Sequence, residues 1–121
     1  MIGKVIYSLL SGEDEPIYPV RAIQGQDFPF RVYHVISDTP TDTKDGVSEL
    51  DVARVQIDHY ATSYLGAVEM SDTTRSTIDR YRGTTEGIVV DKIVFEGEND
   101  MFDNDAEVYK RSQDYFIRIK L

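Results

Sequence analysis

The sequence predicts a single α+β domain in the order α-β-β-α-β-β, with two helices packed on an antiparallel sheet. Three observations predict it. Apolar residues recur at helical spacing in two stretches, one at the start of the chain and one near its middle. They alternate with period two, or run as β-branched clusters, in four others. The 121 residues, 40% of them hydrophobic, suffice for one core and suit one domain over residues 1–121.

The first helix rests on Ile2, Val5, Ile6, Leu9 and Leu10, whose spacings of three and four make one apolar stripe. Gly12 is placed to stop it. Pro16 and Pro19 then hold the chain in an extended or turn state. Residues 28–37 switch to period two. Phe30, Val32, His34 and Ile36 fall on one face, and Arg31, Tyr33, Val35 and Ser37 on the other. Large side chains on both faces predict a strand covered on both sides, or one that meets a partner. Residues 37–48, rich in Asp, Thr, Pro and Gly, read as a long hairpin connection.

The returning strand, residues 52–60, is the most informative stretch of the chain. Ala53, Val55, Ile57 and His59 share one face, which is assigned to the core. Arg54, Gln56, Asp58 and Tyr60 share the other, which is left for water or a neighbouring subunit. Thr62 or Ser63 caps the second helix. That helix is predicted to run to about Tyr81, with Leu65, Val68, Arg75 and Ile78 at helical spacing and Gly83 ending it. Arg75, Arg80 and Arg82 late in it read as complementing the helix dipole, with a local DNA contact as the weaker alternative. Residues 88–95 and 108–121 supply the last two strands, the second placing Tyr109, Tyr115, Ile117, Ile119 and Leu121 on one face. Between them, residues 96–107 hold six acids and no base. This segment reads as a solvated, mobile hairpin tip. Asp100, Met101 and Phe102 within it form a candidate docking tip, because exposed apolar residues mark contacts.

No reactive site competes with this sheet surface. The formal net charge of -9 argues against a nucleic-acid clamp. The absence of Cys excludes disulfides and thiolate chemistry and fits a reducing compartment. The short apolar N-terminal run, followed by Glu13-Asp14-Glu15, does not read as a signal peptide. No run of about 18 apolar residues predicts a membrane span. The acidic segment lacks the order of an EF-hand. His34 and His59 fall on predicted inward faces of adjacent strands and could titrate as a pair, but no third ligand or nucleophile joins them. The serines lack a nucleophile-elbow context, and Gly25 and Gly46 form no phosphate cradle. No catalytic residue, metal or cofactor is expected. A small metal-dependent hydrolase using the acidic tip and the histidines is the rival from another class, and it lacks a ligand set.

The order of these signals resembles a family: the small tail-completion, or tail-terminator, proteins of long-tailed bacteriophages and prophages. The residues that carry the resemblance begin with Ile17-Tyr18-Pro19, Arg21-Ala22, Gln24-Gly25, Pro29-Phe30 and Tyr33. They continue through Ile36-Ser37, Thr39-Pro40 and Asp45-Gly46. The densest match is Leu50-Asp51 with Ala53-Arg54-Val55-Gln56-Ile57-Asp58 and Tyr60-Ala61-Thr62. Tyr64, Ala67, Arg82-Gly83, Tyr109-Lys110-Arg111 and Asp114-Tyr115-Phe116-Ile117 follow. Ile23 departs from the pattern, which has Pro there.

The resemblance implies a non-enzymatic virion protein. It would form a ring, commonly of six subunits, on the head-proximal end of the tail tube. The ring would stop tube polymerisation and face the head-completion proteins, with DNA passing through its centre without sequence-specific binding. The implied partners are further copies of the chain, the tail-tube protein and the head-completion proteins. The isolated chain would either form the ring already or stay monomeric until it meets its template. The location implied is the virion tail at the head–tail interface, after assembly in the host bacterial cytoplasm. A head-closure or connector adaptor of the same interface is the alternative. A heterologous ring needs two complementary faces per subunit. Six copies of a net charge of -9 oppose assembly, so inter-subunit ion pairs involving Arg31 or Arg54 are expected. Arg31, Arg54, Gln56 and Asp58 are the candidate subunit or tube contacts.

Overall fold

The computed structural model describes residues 2–22, 24–40 and 50–120. Two helices and six strands follow in the order α1 (Ile2–Leu10), β1 (Ile17–Pro19), β2 (Phe30–Pro40), β3 (Leu50–Ala61), α2 (Tyr64–Ile78), β4 (Gly83–Thr85), β5 (Ile88–Asp103) and β6 (Val108–Lys120). The result is an α+β domain with one six-stranded sheet, ordered β1-β2-β3-β6-β5-β4. The predicted order lacks β1 and β4. Each is only three residues long, too short to show alternation. Pro19 and Gly83 within them also argue against a strand, although sheet edges tolerate both residues. β1 pairs in parallel with Arg31–Tyr33, so the sheet is mixed rather than wholly antiparallel.

The core lies on one face of this sheet, under both helices. Ile2, Val5, Ile6 and Leu10 of α1 and Ile78 of α2 join Ala53, Val55 and Ile57 of β3 and Tyr115, Ile117 and Ile119 of β6 in one buried cluster. The alternation read in β3 and β6 therefore assigns the core face correctly. The register of β2 against β3 pairs Tyr33 with Ile57 and Arg31 with His59, which turns Arg31 and Tyr33 toward the helices. Phe30, Val32 and His34 take the other face. The expectation that His34 and His59 share an inward face is thus corrected: they lie on opposite faces of the sheet. The reason is Arg31. Its guanidinium is accepted inside, where Glu13 and the carbonyls of Leu10 and Glu15 gather beyond the end of α1.

Both helix ends differ from expectation in detail. Gly12 keeps out of the left-handed region, and α1 ends in a turn with the Ser11 amide donating to the Tyr7 carbonyl at 2.8 Å. Of the two candidate caps for α2, Ser63 serves: its Oγ accepts from the Gly66 amide at 3.0 Å. Ser63→Ala is expected to cost about 1 kcal/mol of unfolding free energy by urea titration, with Thr62→Ala near neutral. α2 stops at Ile78, before Tyr81. Arg80 then takes the left-handed turn at φ 65°, and its amide donates to the Ile93 carbonyl at 2.7 Å. That contact ties the chain to β5, and Gly83 opens β4 rather than closing the helix.

The largest correction concerns residues 96–107. β5 continues to Asp103, pairing with β6 as far as Asp103 opposite Val108. Only 104–107 turn, with Asp103 Oδ1 accepting from the amides of Asp105 (2.9 Å) and Ala106 (3.1 Å). Acids, Asn and Gly depress strand propensity, but the partner strand supplies what propensity lacks. Of the expected 37–48 connection, β2 takes 37–40, and 41–48 lie outside the described residues, as does Leu121.

Candidate assembly surface

With both helices on one face, the other face of the sheet carries no helix among the described residues. Three patches cross it. At one corner Phe28 stacks on Phe30 with centroids 4.9 Å apart, and Phe30 meets Tyr60 at 5.1 Å. At the centre lies Asp58, only 2% exposed although it faces away from the core. Its Oδ1 accepts from Ser112 Oγ at 2.6 Å and from Gln56 Nε2 at 2.8 Å. Its Oδ2 faces His34 Nε2 at 3.3 Å and Lys110 Nζ at 3.8 Å. A buried carboxylate needs such partners, and here four side chains from three strands supply them. The cluster stitches β2, β3 and β6 across the helix-free face.

The third patch is basic. Arg54 on β3, about half exposed, approaches Asp114 of β6 at 3.8 Å. The register sets Arg54 opposite Phe116, Val52 opposite Arg118, and Arg118 opposite Lys92 of β5. Arg54, Phe116, Arg118 and Lys92 are all exposed. In a chain of net charge -9 this is a local reversal of sign.

Of the four predicted contact residues, then, Arg54 alone stands out into solvent. Gln56 and Asp58 lie on the expected face but are engaged with one another. Arg31 is corrected: it is fully buried on the helix face, with Nη1 2.6 Å from Glu13 Oε2, and has no charge to offer a neighbour. Phe116, Arg118 and Lys92 were missed. The signal for the first two was present as the positions alternating with the core face of β6.

The β5–β6 arm carries the other candidates. Asp100 pairs with Arg111, Met101 with Lys110 and Phe102 with Tyr109 by register, so they lie within paired strand and not at a tip. Arg111 binds Glu98 (2.6 Å) and Asp100 (3.1 Å), and the Tyr64 hydroxyl donates to Asp100 Oδ2 at 3.1 Å. The Arg111 guanidinium holds the Glu98 carboxyl below its usual range. Phe102 packs edge-on to Tyr109 with centroids 4.9 Å apart, yet Phe102 and Met101 remain 43% and 58% exposed. Asp100 is thus tied down, while Met101 and Phe102 stay available. Among the described residues no group of three His, Asp or Glu side chains is arranged to hold a metal ion, and no helix is long and apolar enough to cross a membrane.

The model of the family described as "Tail completion protein gp17" matches residues 6–120. The chain belongs to this family. The family consists of phage structural proteins and is not an enzyme family, so the chain is a structural component of a phage-type virion tail. A chain of the virion of a native gene transfer agent particle has a similar fold, with a TM-score of 0.79 at 9% identity. The superposition covers 96% of this chain and 92% of that one. No curated protein matches the sequence.

Proposed function

We propose that this chain is the tail terminator: a ring, of six subunits, that caps the head-proximal end of the tail tube. The ring stops tube polymerisation and presents the joining surface to the head-completion proteins. DNA crosses its centre without sequence-specific contact, in keeping with a net charge of -9 per subunit. The tail-completion family match over nearly the whole chain carries this reading. The helix-free face supports it, since Arg54 and Arg118 flank Phe116 there as an exposed basic patch in an otherwise acidic chain. Arg54, held by Asp114 and backed by the Asp58–Gln56 cluster, is the contact offered to a neighbouring subunit or to the tube. Met101 and Phe102, with Asp100 anchoring the strand behind them, are the docking residues of the arm.

The test is to mix purified protein with tail-tube protein, follow mass by light scattering and image the product by electron microscopy. Short tubes closed at one end by a ring are expected. Uncapped tubes of unchanged length, with the protein bound to portal complexes instead, would reassign it to the head-closure side of the joint.

A further inference from the structure

We infer that neighbouring copies of this chain join sheet to sheet, the outer edge of β2 in one subunit receiving the outer edge of β5 from the next as an added antiparallel strand. This rests on the ring reading and specifies how the ring is held.

The strands at the two ends of the sheet are too short to cover it. β1 pairs with residues 31–33 of β2 alone, and β4 with residues 88–90 of β5 alone. Beyond β4, the Arg80 amide and Tyr81 carbonyl bond Ile93, and Asp79 Oδ1 accepts from the Phe95 amide at 3.0 Å. No strand among the described residues pairs with the outer edge of β2 over 34–40 or of β5 over 97–103. Long unpaired edges are templates for another chain, and soluble proteins usually blunt them.

The two open edges suit one another. Strand direction alternates across β2, β3, β6 and β5, so β2 and β5 run oppositely. A β5 edge moved beside the β2 edge of a like-oriented copy is therefore antiparallel to it. The open part of β2 lies at the end of the sheet where Leu50 faces Lys120, and the open part of β5 at the end where Asp103 faces Val108. Joining them makes a staggered, head-to-tail contact that leaves the growing assembly with one open edge of each kind. That is the heterologous pattern a ring requires. Both edges carry exposed apolar side chains to cover: Val35 and Ile36 on β2, Met101 and Phe102 on β5. Each strand is also bulged near its open part, between Val35 and Ser37 and between Phe95 and Gly97. Bulges bend a sheet, and a sheet continued from subunit to subunit must curve to close.

Charge disfavours a β5–β5 seam, which would crowd Glu98, Asp100 and Asp103 of two copies along one edge, whereas β2 offers Asp38 as its one acid over 34–40.

The chain contains no Cys, so introduced thiols are the only ones. Ser37→Cys and Thr39→Cys on β2, and Asn99→Cys and Met101→Cys on β5, are mixed in pairs and assembled with tail-tube protein. The mixtures are oxidised mildly and run on non-reducing gels, with ring formation followed separately by microscopy. Disulfide dimers are expected only from mixtures of a β2 with a β5 variant. The best β5 partner should move toward Asn99 as the β2 thiol moves from 37 to 39, the mark of antiparallel register. Rings without mixed dimers from any pair overturn edge pairing and leave the ring reading intact. Dimers from one variant alone overturn it in favour of a two-fold contact. Absence of any ring overturns both.

Discussion

Glu13→Ala is expected to destabilise the chain by roughly 3–5 kcal/mol, measured by urea unfolding at neutral pH, because it strands a buried guanidinium. Arg31 has no solvent exposure, and burial pushes its guanidinium below the usual range against the opposing pull of Glu13 and Glu15. Nη1 donates to Glu13, and Nη2 donates to the carbonyls of Leu10 (3.0 Å) and Glu15 (2.5 Å). Nε has no hydrogen-bond partner. Glu13 also accepts from the Thr77 hydroxyl at 2.8 Å, so its carboxylate links β2 to α2. Removing the carboxylate leaves the cation with two carbonyls and no carboxylate in direct contact, only the more distant charge of Glu15. Arg31→Met removes the cation, and with it the unsatisfied Nε, while keeping most of the side-chain volume. It is therefore expected to cost less than Glu13→Ala, and the double variant less than the sum of the singles. A loss below about 1 kcal/mol for Glu13→Ala would place this pair with solvent-screened surface bridges and refute the buried-charge account.

The same residue explains where the sequence was legible and where it was not. In β3 every second residue from Ala53 to His59 is small, branched or ring-shaped, and its neighbours are polar, so one face was plainly the core. In β2 both faces carry large side chains. The choice between Phe30-Val32-His34 and Arg31-Tyr33 was made by Glu13, far off in sequence and invisible to alternation. The short β1 and β4 exist because long neighbours offer them an edge, not because three residues encode a strand. The acidic stretch after Phe95 misled for a related reason. Its strand character is conferred by β6, whose Arg111 gathers Glu98 and Asp100, and the bulge after Phe95 shifts which residues face the helices. The site followed the fold. Arg54 was legible because it alternates with a clear core. Met101 and Phe102 were legible as exposed apolar residues, but their place on an open strand edge depended on knowing how far β5 runs.

Acid should weaken the chain through His59, by roughly 3 kcal/mol between pH 6.5 and 4. Its ring is fully buried between β3 and α2, with Nδ1 2.9 Å from the Arg111 carbonyl and Nε2 2.9 Å from Thr74 Oγ1. The carbonyl can only accept, so Nδ1 carries the proton, and the single Thr74 hydroxyl proton lies between Nε2 at 2.9 Å and the Met70 carbonyl at 3.2 Å. Burial pushes the imidazole down from 6.5 to about 4, with nearby Arg31 adding to the fall and the Arg111 carbonyl and the charges of Asp58 and Glu98 opposing it. Above pH 6.5 the ring is neutral in both states and the full stability is present. As pH falls below 6.5 the unfolded chain takes up a proton that the folded chain refuses, and stability drops until the folded ring protonates near 4. Below that, this contribution is flat. His59→Gln removes the titration while leaving every carboxylate in place. Its unfolding free energy, measured across pH 4–7, should therefore fall less steeply than that of the parent chain, whatever its value at neutrality. Parallel pH profiles for the two proteins would show that the folded ring accepts its proton as readily as the unfolded one. Thr74 would then have to serve as acceptor in a solvated pocket rather than as donor in a dry one.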